Sequence, residues 1–233
     1  GFKVMMLNFL KKYANNYSEN SIAHSLRIKR FKIFEDLIKN KKNISILDVG
    51  GTYDFWMKMN SKEINAKISI MNLTADAAGH KPENFPFESE QIIGDARDMA
   101  MFSDKKFDMV FSNSVIEHVG NFEDQKSMAE EVQRVGKGYF IQTPNFFFPI
   151  EPHFLFPYFQ FLPLWIKIQI VYYFNMNFWW SDKKISDYNH AIQVASEVRL
   201  MKLSELKRLF KDCLVFKEKF LQLNKSFIVY KKI

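Results

Sequence analysis

The sequence predicts an α/β fold built on a largely parallel sheet with helices on both faces. Three observations carry this. Short, β-rich apolar runs recur along the chain: "ISILDV" (44–49), "KISIMNL" (67–73), "EQIIGD" (90–95), "FDMVFSN" (107–113) and "GYFIQT" (138–143). Helical patterns interleave with them, and strands alternating with helices imply βαβ units. The runs end at or one residue past Asp48, Asn72, Asp95 and Asn113, which a parallel sheet gathers on one edge, the edge at which such folds bind ligands.

The elements follow in order. Asn20 or Ser21 can cap a helix whose apolar positions Ile22, Leu26, Phe34, Leu37 and Ile38 recur at helical spacing, and Asn40 ends it. Between the last two strand runs, "EDQKSMAEEVQRV" places Met128, Ala129, Val132 and Val135 on one stripe, with acids at its start where the helix dipole favours them. The tail reads as a short helix, "KLSELKRLFKD", followed by an antiparallel hairpin turning around Leu223 to Lys225. Residues 144–190 form an aromatic-rich insertion after the fifth strand. Prolines at 144, 149, 152, 157 and 163 forbid a continuous helix before Leu164, and a helix from Leu164 to about Phe174 is expected.

Length and composition set bounds. The 233 residues suit one domain, 1–233, with an elaboration, and the single cysteine, Cys213, excludes an internal disulfide framework and reads as a structural thiol in a reducing compartment. The first residues lack a signal-peptide pattern, no stretch of about 20 apolar residues spans a membrane, and the cytoplasm is the expected location. The net charge is +7, and the basic N-terminal helical region, 1–42, holds ten Lys or Arg against Glu19, Glu35 and Asp36. A solvated face is the plain reading of that region; an anionic substrate, an acidic lipid surface or RNA are alternatives. Within it, Arg27 and Arg30 reach a site only if the helix folds over it.

The loop "DVGGTYD" lets the backbone turn tightly at Gly50-Gly51 and approach a ligand with no Cβ in the way. It lacks the later glycines of a pyrophosphate fingerprint, and the chain has no Walker A loop, which argues against dinucleotide or ATP binding. Asp54 suits a cationic ligand better than a phosphate.

Taken in order across 44–145, "ILDVGG", "IMNL", "GDARDM", "FDMVFSNSVIEHV" and "FIQTPN" resemble the class I S-adenosylmethionine-dependent methyltransferases, in the type 11-like group acting mostly on small molecules. The resemblance implies a Rossmann-like sheet of seven strands, mostly parallel, with one strand of the C-terminal hairpin antiparallel. It implies S-adenosylmethionine as cofactor. Gly50 and Gly51 would pass under its methionine moiety, with Asp48 either near its amino group or ordering the loop. Asn72, where an acid is usual, would lie at the ribose, Leu73 next to it would also meet the cofactor, and Asp95, Ala96 and Arg97 would lie at the adenine. Asn113 and Ser114 would border the reacting methyl. Thr52 and Asp54 stand where the family usually has glycines.

For an oxygen acceptor a general base helps, and histidine is the usual candidate. His118 in "VIEHV" and His153 in "EPHFLFP", the latter with Glu151, are the catalytic candidates, each with a plain packing role as its alternative. His24, His80 and His190 lack metal-ligand spacing, and no metal is expected. The aromatic insertion reads as a lid or homodimer interface, as a pocket for an apolar or sugar-like acceptor, or as a peripheral membrane contact through 146–180. No motif for methylating base nitrogens is present, and nucleic acid is not the expected partner. The sequence thus points to methyl transfer onto a small-molecule or glycan-type acceptor, chiefly at oxygen; a non-catalytic methyltransferase-like assembly subunit is the alternative.

Overall fold

The computed structural model describes residues 22–59, 64–178, 181 and 183–233. A seven-stranded sheet runs in the order β3-β2-β1-β4-β5-β9-β8. Strands β1 (Ile44–Val49), β2 (Ala66–Asn72), β3 (Glu88–Ile93), β4 (Phe107–Asn113) and β5 (Gly136–Pro144) pair in parallel. β9 (Leu223–Lys231) is antiparallel to β5, and β8 (Leu214–Phe220) closes the sheet as its hairpin partner. The apolar runs of the sequence are therefore the strands, to within two residues at each end.

The central strands are nearly continuous apolar runs because both faces are covered. Alternate residues of β1 enter different cores: Leu47 and Val49 pack with Val110, Tyr139 and Ile141, whereas Ile44 and Ile46 pack with Phe111 and Phe140 on the other face. Helix α1 (Ile22–Ile38) and helix α2 (Tyr53–Met59) cover the second face through Phe31, Phe34 and Trp56. Helix α3 (Phe122–Val135) covers the first with the stripe expected from its sequence, joined by α6 (Leu203–Leu209) through Leu206 and Leu209. The start of α3 is fixed by a capping box, in which Asn121 accepts from the Glu123 and Asp124 amides and Asp124 accepts from Asn121. Asn40, with φ 69°, ends the α1 segment as expected, while the proposed cap at Asn20 or Ser21 lies outside the described residues.

Two expectations need correction. The C-terminal hairpin turns at Leu221-Gln222, not at Leu223 to Lys225; both turn residues take positive φ (46° and 68°), the twist that a two-residue hairpin loop requires. The aromatic elaboration also extends beyond 190. After the small β6–β7 hairpin (Ile150–Glu151 and Phe156–Pro157), α4 (Leu164–Tyr173) occupies the expected helical stretch, and an unanticipated α5 (Tyr188–Ser196) packs against it. Asp187 caps α5 by accepting from the His190 amide. A bridge between Asn145 and Met201 marks where the elaboration leaves and rejoins the sheet layer. Phe154, Phe159, Val171, Phe178, Val194 and Ala195 form its own core. Among the described residues no helix is long and apolar enough to cross a membrane.

Candidate functional site

The carboxyl edge of the sheet gathers the residues singled out by the sequence. Asp48 aligns with Ile70 and Phe111, and Asn113 with Gln142. Gly50 leaves β1 with φ +74°, its amide donating to the Met71 carbonyl at 2.8 Å, and an added Cβ would collide with Val115. At Gly51 a Cβ would fall 1.7 Å from Asp48 Oδ2. The Asp48 carboxyl is buried beneath the loop and accepts from Trp56 Nε1 at 2.7 Å. Burial pushes its pKa up to about 7, against the smaller opposing effect of the indole hydrogen bond. Asp48 thus ties the end of β1 to α2 across the loop. The unusual residues after it also have local work: Thr52 Oγ1 accepts from the Phe55 amide at 3.2 Å and caps α2, and Asp54 in the first turn pairs with Lys58 at 2.7 Å.

At the end of β2, Asn72 Nδ2 donates to the Gly51 carbonyl at 2.9 Å. A carboxylate cannot make this bond, which accounts for an amide where an acid is usual; its Oδ1 remains an acceptor. Leu73 beside it is 68% exposed, an apolar side chain left open on a polar edge. Past β3, the Asp95 carboxylate receives the Arg97 backbone amide at 2.9 Å and its guanidinium at 2.7 Å. The Arg97 side-chain hydrogen bond holds the Asp95 pKa below the usual carboxylate value. Ala96 is buried between them, and Arg97 reaches on to Asp124 at 3.2 Å.

At the ends of β4 and β5 one basic residue of α1, Arg30, turns inward, while Lys29 and Lys32 stay exposed. Arg30 donates to Asn113 Oδ1, to Gln142 Oε1 at 2.7 Å and to both oxygens of Glu218 at 3.2 and 3.3 Å. The plain solvated-face reading of Arg30 is corrected, because its side chain is only 10% exposed. Arg27 lies 5.7 Å over the Phe55 ring. Ser114 turns the chain with φ 58°, its hydroxyl 2.8 Å from Gln142 Oε1.

Just beyond, a short turn (Ile116–His118) sets Glu117 and His118 against the elaboration. The His118 and His153 rings lie 4.8 Å apart, nearly perpendicular, with Phe178 against both. His153 Nδ1 meets Glu151 Oε1 at 2.6 Å, while Glu151 Oε2 accepts from the amides of His153 and Phe154 at 2.8 and 2.7 Å. Glu117 is fully buried; its Oε2 accepts from the Thr143 hydroxyl at 2.9 Å. Burial lowers the His118 pKa to about 4, helped by the neighbouring His153. For His153 burial works against charge, but the Glu151 bond and the nearby Glu117 and Glu197 carboxylates lift it above the usual imidazole value. Burial raises the Glu117 carboxyl.

The family described as "Methyltransferase domain" matches residues 47–141. Residues 47–141 thus match a methyltransferase domain. The chain is similar in fold to the PH0226 protein from Pyrococcus horikoshii OT3, with 18% identity, 94% of each chain covered and a TM-score of 0.54. A SAM-dependent methyltransferase from Methanosarcina mazei aligns with 16% identity over 85% of this chain and 95% of that one, with a TM-score of 0.51. Among curated proteins, the uncharacterized protein Rv1509 of Mycobacterium tuberculosis is 27% identical over 151 residues, 59% of this chain and 48% of the relative. The chain thus spans about half the length of that relative.

The residues at the carboxyl edge fit S-adenosylmethionine. The loop lacks the Cβ that would fill the space over Asp48, Asn72 retains an acceptor, and Leu73 offers an apolar face. The structure joins His118 with His153, as candidates from separate segments, and confirms the Glu151 contact. Sequence reasoning passed over Glu117, Gln142 and Glu218. Glu117 had a signal, an acid inside an otherwise apolar "SVIEHV"; Gln142 and Glu218 had none apart from lying on strands otherwise read as core or edge.

Proposed function

We propose that the methyltransferase moves the methyl group of S-adenosylmethionine onto a hydroxyl oxygen of a small-molecule or glycan-type acceptor. The observation that carries this is the convergence of Glu117, His118, His153 and Glu151 just past Ser114, where the carboxyl edge meets the aromatic elaboration. A hydroxyl must lose its proton to become a competent nucleophile, and a cluster of titratable groups beside the cofactor edge suits that need.

The cofactor, when bound, supplies an electrophilic methyl on a sulfonium. The Gly50-Gly51 backbone, seated over Asp48 and tied by the Asn72 bond to Gly51, holds its methionine part; Asn72 Oδ1 accepts from the ribose hydroxyls, and Leu73 packs on the adenine. Asp95 accepts from the adenine amino group beside its bonds to Arg97. Asn113 and Ser114, fixed by Arg30 and Gln142, border the acceptor side. Rigid placement of the acceptor supplies much of the rate in such a displacement. The elaboration closes over the acceptor and excludes water, and its exposed Phe147, Phe161 and Trp165 offer flat apolar faces that suit sugar rings.

The test is a screen of hydroxylated acceptors, free and nucleotide-linked sugars included, with methyl-labelled S-adenosylmethionine and NMR identification of the methylated atom. An O-methyl product, lost in His118→Ala and His153→Ala with cofactor binding retained, supports the reading. A methyl on nitrogen or carbon refutes the oxygen assignment, and unchanged turnover in both variants refutes the role of the cluster.

A further inference from the structure

We propose that Glu117, His118 and His153 bind one divalent transition-metal ion of the zinc class. Their donor atoms all lie within 4.8 Å of one another, although they come from two segments that only the folded elaboration brings together. The ion binding stands on this geometry alone; its role, presenting the acceptor oxygen at an open coordination position, rests on the function proposed above.

Three further features separate this cluster from an ordinary buried ion pair. First, Glu117 Oε1 is buried and has no hydrogen-bond partner among the described residues. An unpaired buried carboxylate oxygen is costly, and native structures rarely keep one without a reason. A cation beside it removes the cost. Second, His153 is oriented from behind: Glu151 holds Nδ1 at 2.6 Å and is itself fixed by two backbone amides. A carboxylate on one ring nitrogen, locking the imidazole so that the other nitrogen faces an ion, is the common outer shell of histidine metal sites. Third, the Glu197 carboxylate stands 3.9 Å from His118 Nδ1, a further negative charge beside the cluster.

The donor set identifies the ion class. Two imidazoles and one carboxylate suit zinc and its first-row neighbours, whereas magnesium and calcium take oxygen donors. Ligand bonds of about 2.0–2.2 Å require donors closer together than the widest separation here, so the three side chains draw inward on binding. Three protein ligands leave a position open, which is the arrangement of catalytic rather than structural sites. The expectation of no metal rested on sequence spacing, and these ligands share no such spacing: His153 comes from the elaboration and the other two from the turn after β4.

Untagged protein stripped with a chelator and titrated with Co²⁺ tests the proposal, because visible absorption reports nitrogen and oxygen coordination without any reaction. Zn²⁺ then competes for the same site. The expected result is one saturable equivalent per chain, at least tenfold weaker in His153→Ala and in Glu117→Gln, weakened about 10–100-fold in Glu151→Gln, and unchanged in His190→Ala, a half-buried histidine outside the cluster that accepts from the Ser186 amide. S-adenosylmethionine binding by each variant reports that it is folded. Absent Co²⁺ binding, or binding that persists undiminished in folded His153→Ala and Glu117→Gln proteins, overturns the metal site and leaves methyl transfer standing. Binding as expected, with methyl transfer equally fast in stripped and loaded protein, overturns the acceptor role alone.

Discussion

Replacing Gly51 by alanine tests how tightly the loop is built. The added Cβ would lie 1.7 Å from Asp48 Oδ2 and 2.1 Å from its Cγ. That carboxyl has nowhere to go: it is buried and holds the Trp56 indole at 2.7 Å. Either the loop shifts, an overpacking that costs about 1–3 kcal/mol, or Asp48 moves and releases a buried N–H, which costs about 1–3 kcal/mol. A loss of about 2 kcal/mol lowers the melting temperature of a chain this size by roughly 4–8 °C. Gly79 is the internal control, since it has φ +74° but nothing within 4 Å of an added Cβ. Alanine there meets no atom but must hold φ 74° and ψ −179°, a region that only glycine adopts readily, at a backbone cost of about 1–3 kcal/mol. Urea unfolding and calorimetry with S-adenosylmethionine separate the two. Gly51→Ala is expected to lose both stability and at least tenfold in cofactor affinity, Gly79→Ala only stability. If Gly51→Ala binds the cofactor as the parent does, the loop is not the close-approach surface described here.

Other outcomes follow from the same contacts. Because the Asp48 pKa is raised in the fold, its contribution is fully present below the unfolded value near 3.8 and is lost as pH rises toward 7. The parent should therefore lose stability relative to Asp48→Asn over that window, by an amount on the order of 4 kcal/mol in full; parallel pH profiles of the two in urea unfolding would contradict this. Arg30→Ala leaves the buried Glu218 with the Ser226 hydroxyl at 2.7 Å and no Arg partner. It should cost about 3–5 kcal/mol, and adding Glu218→Gln should recover part of that; a loss below about 1 kcal/mol by chemical denaturation would show that the pair is not needed. Leu73→Ser should weaken cofactor binding severalfold with little change in stability, because the side chain is 68% exposed; unaltered affinity would remove Leu73 from the adenine site.

Much of the sheet could be read from the sequence because its strands are buried on both faces and show as unbroken apolar runs. The hairpin turn was misplaced because Leu221 and Gln222 carry none of the glycine or asparagine that usually marks positive φ, while Asn224 nearby does. Helix α5 escaped because its buried stripe, Ala191, Val194 and Ala195, is short, small and set among polar residues. On the cofactor side, strand-end residues were legible one by one, since a parallel sheet dictates which end of each strand faces the ligand. What Asn72, Thr52 and Arg30 touch was not legible. Periodicity says which face of α1 is polar, but not that Arg30 turns in to Asn113, Gln142 and Glu218. The meeting of His118 with His153 depends on how the elaboration folds back, which no spacing encodes.

The central claim is that the carboxyl edge, from Gly50-Gly51 across Asn72 to Asp95, holds S-adenosylmethionine. Calorimetric titration with S-adenosylmethionine and S-adenosylhomocysteine, on the parent protein and on Asp95→Ala, tests it most directly. The account expects one site per chain for both ligands, weakened at least tenfold in a folded Asp95→Ala variant. Folded parent protein that binds neither ligand, or a variant that binds both as tightly as the parent, would contradict it.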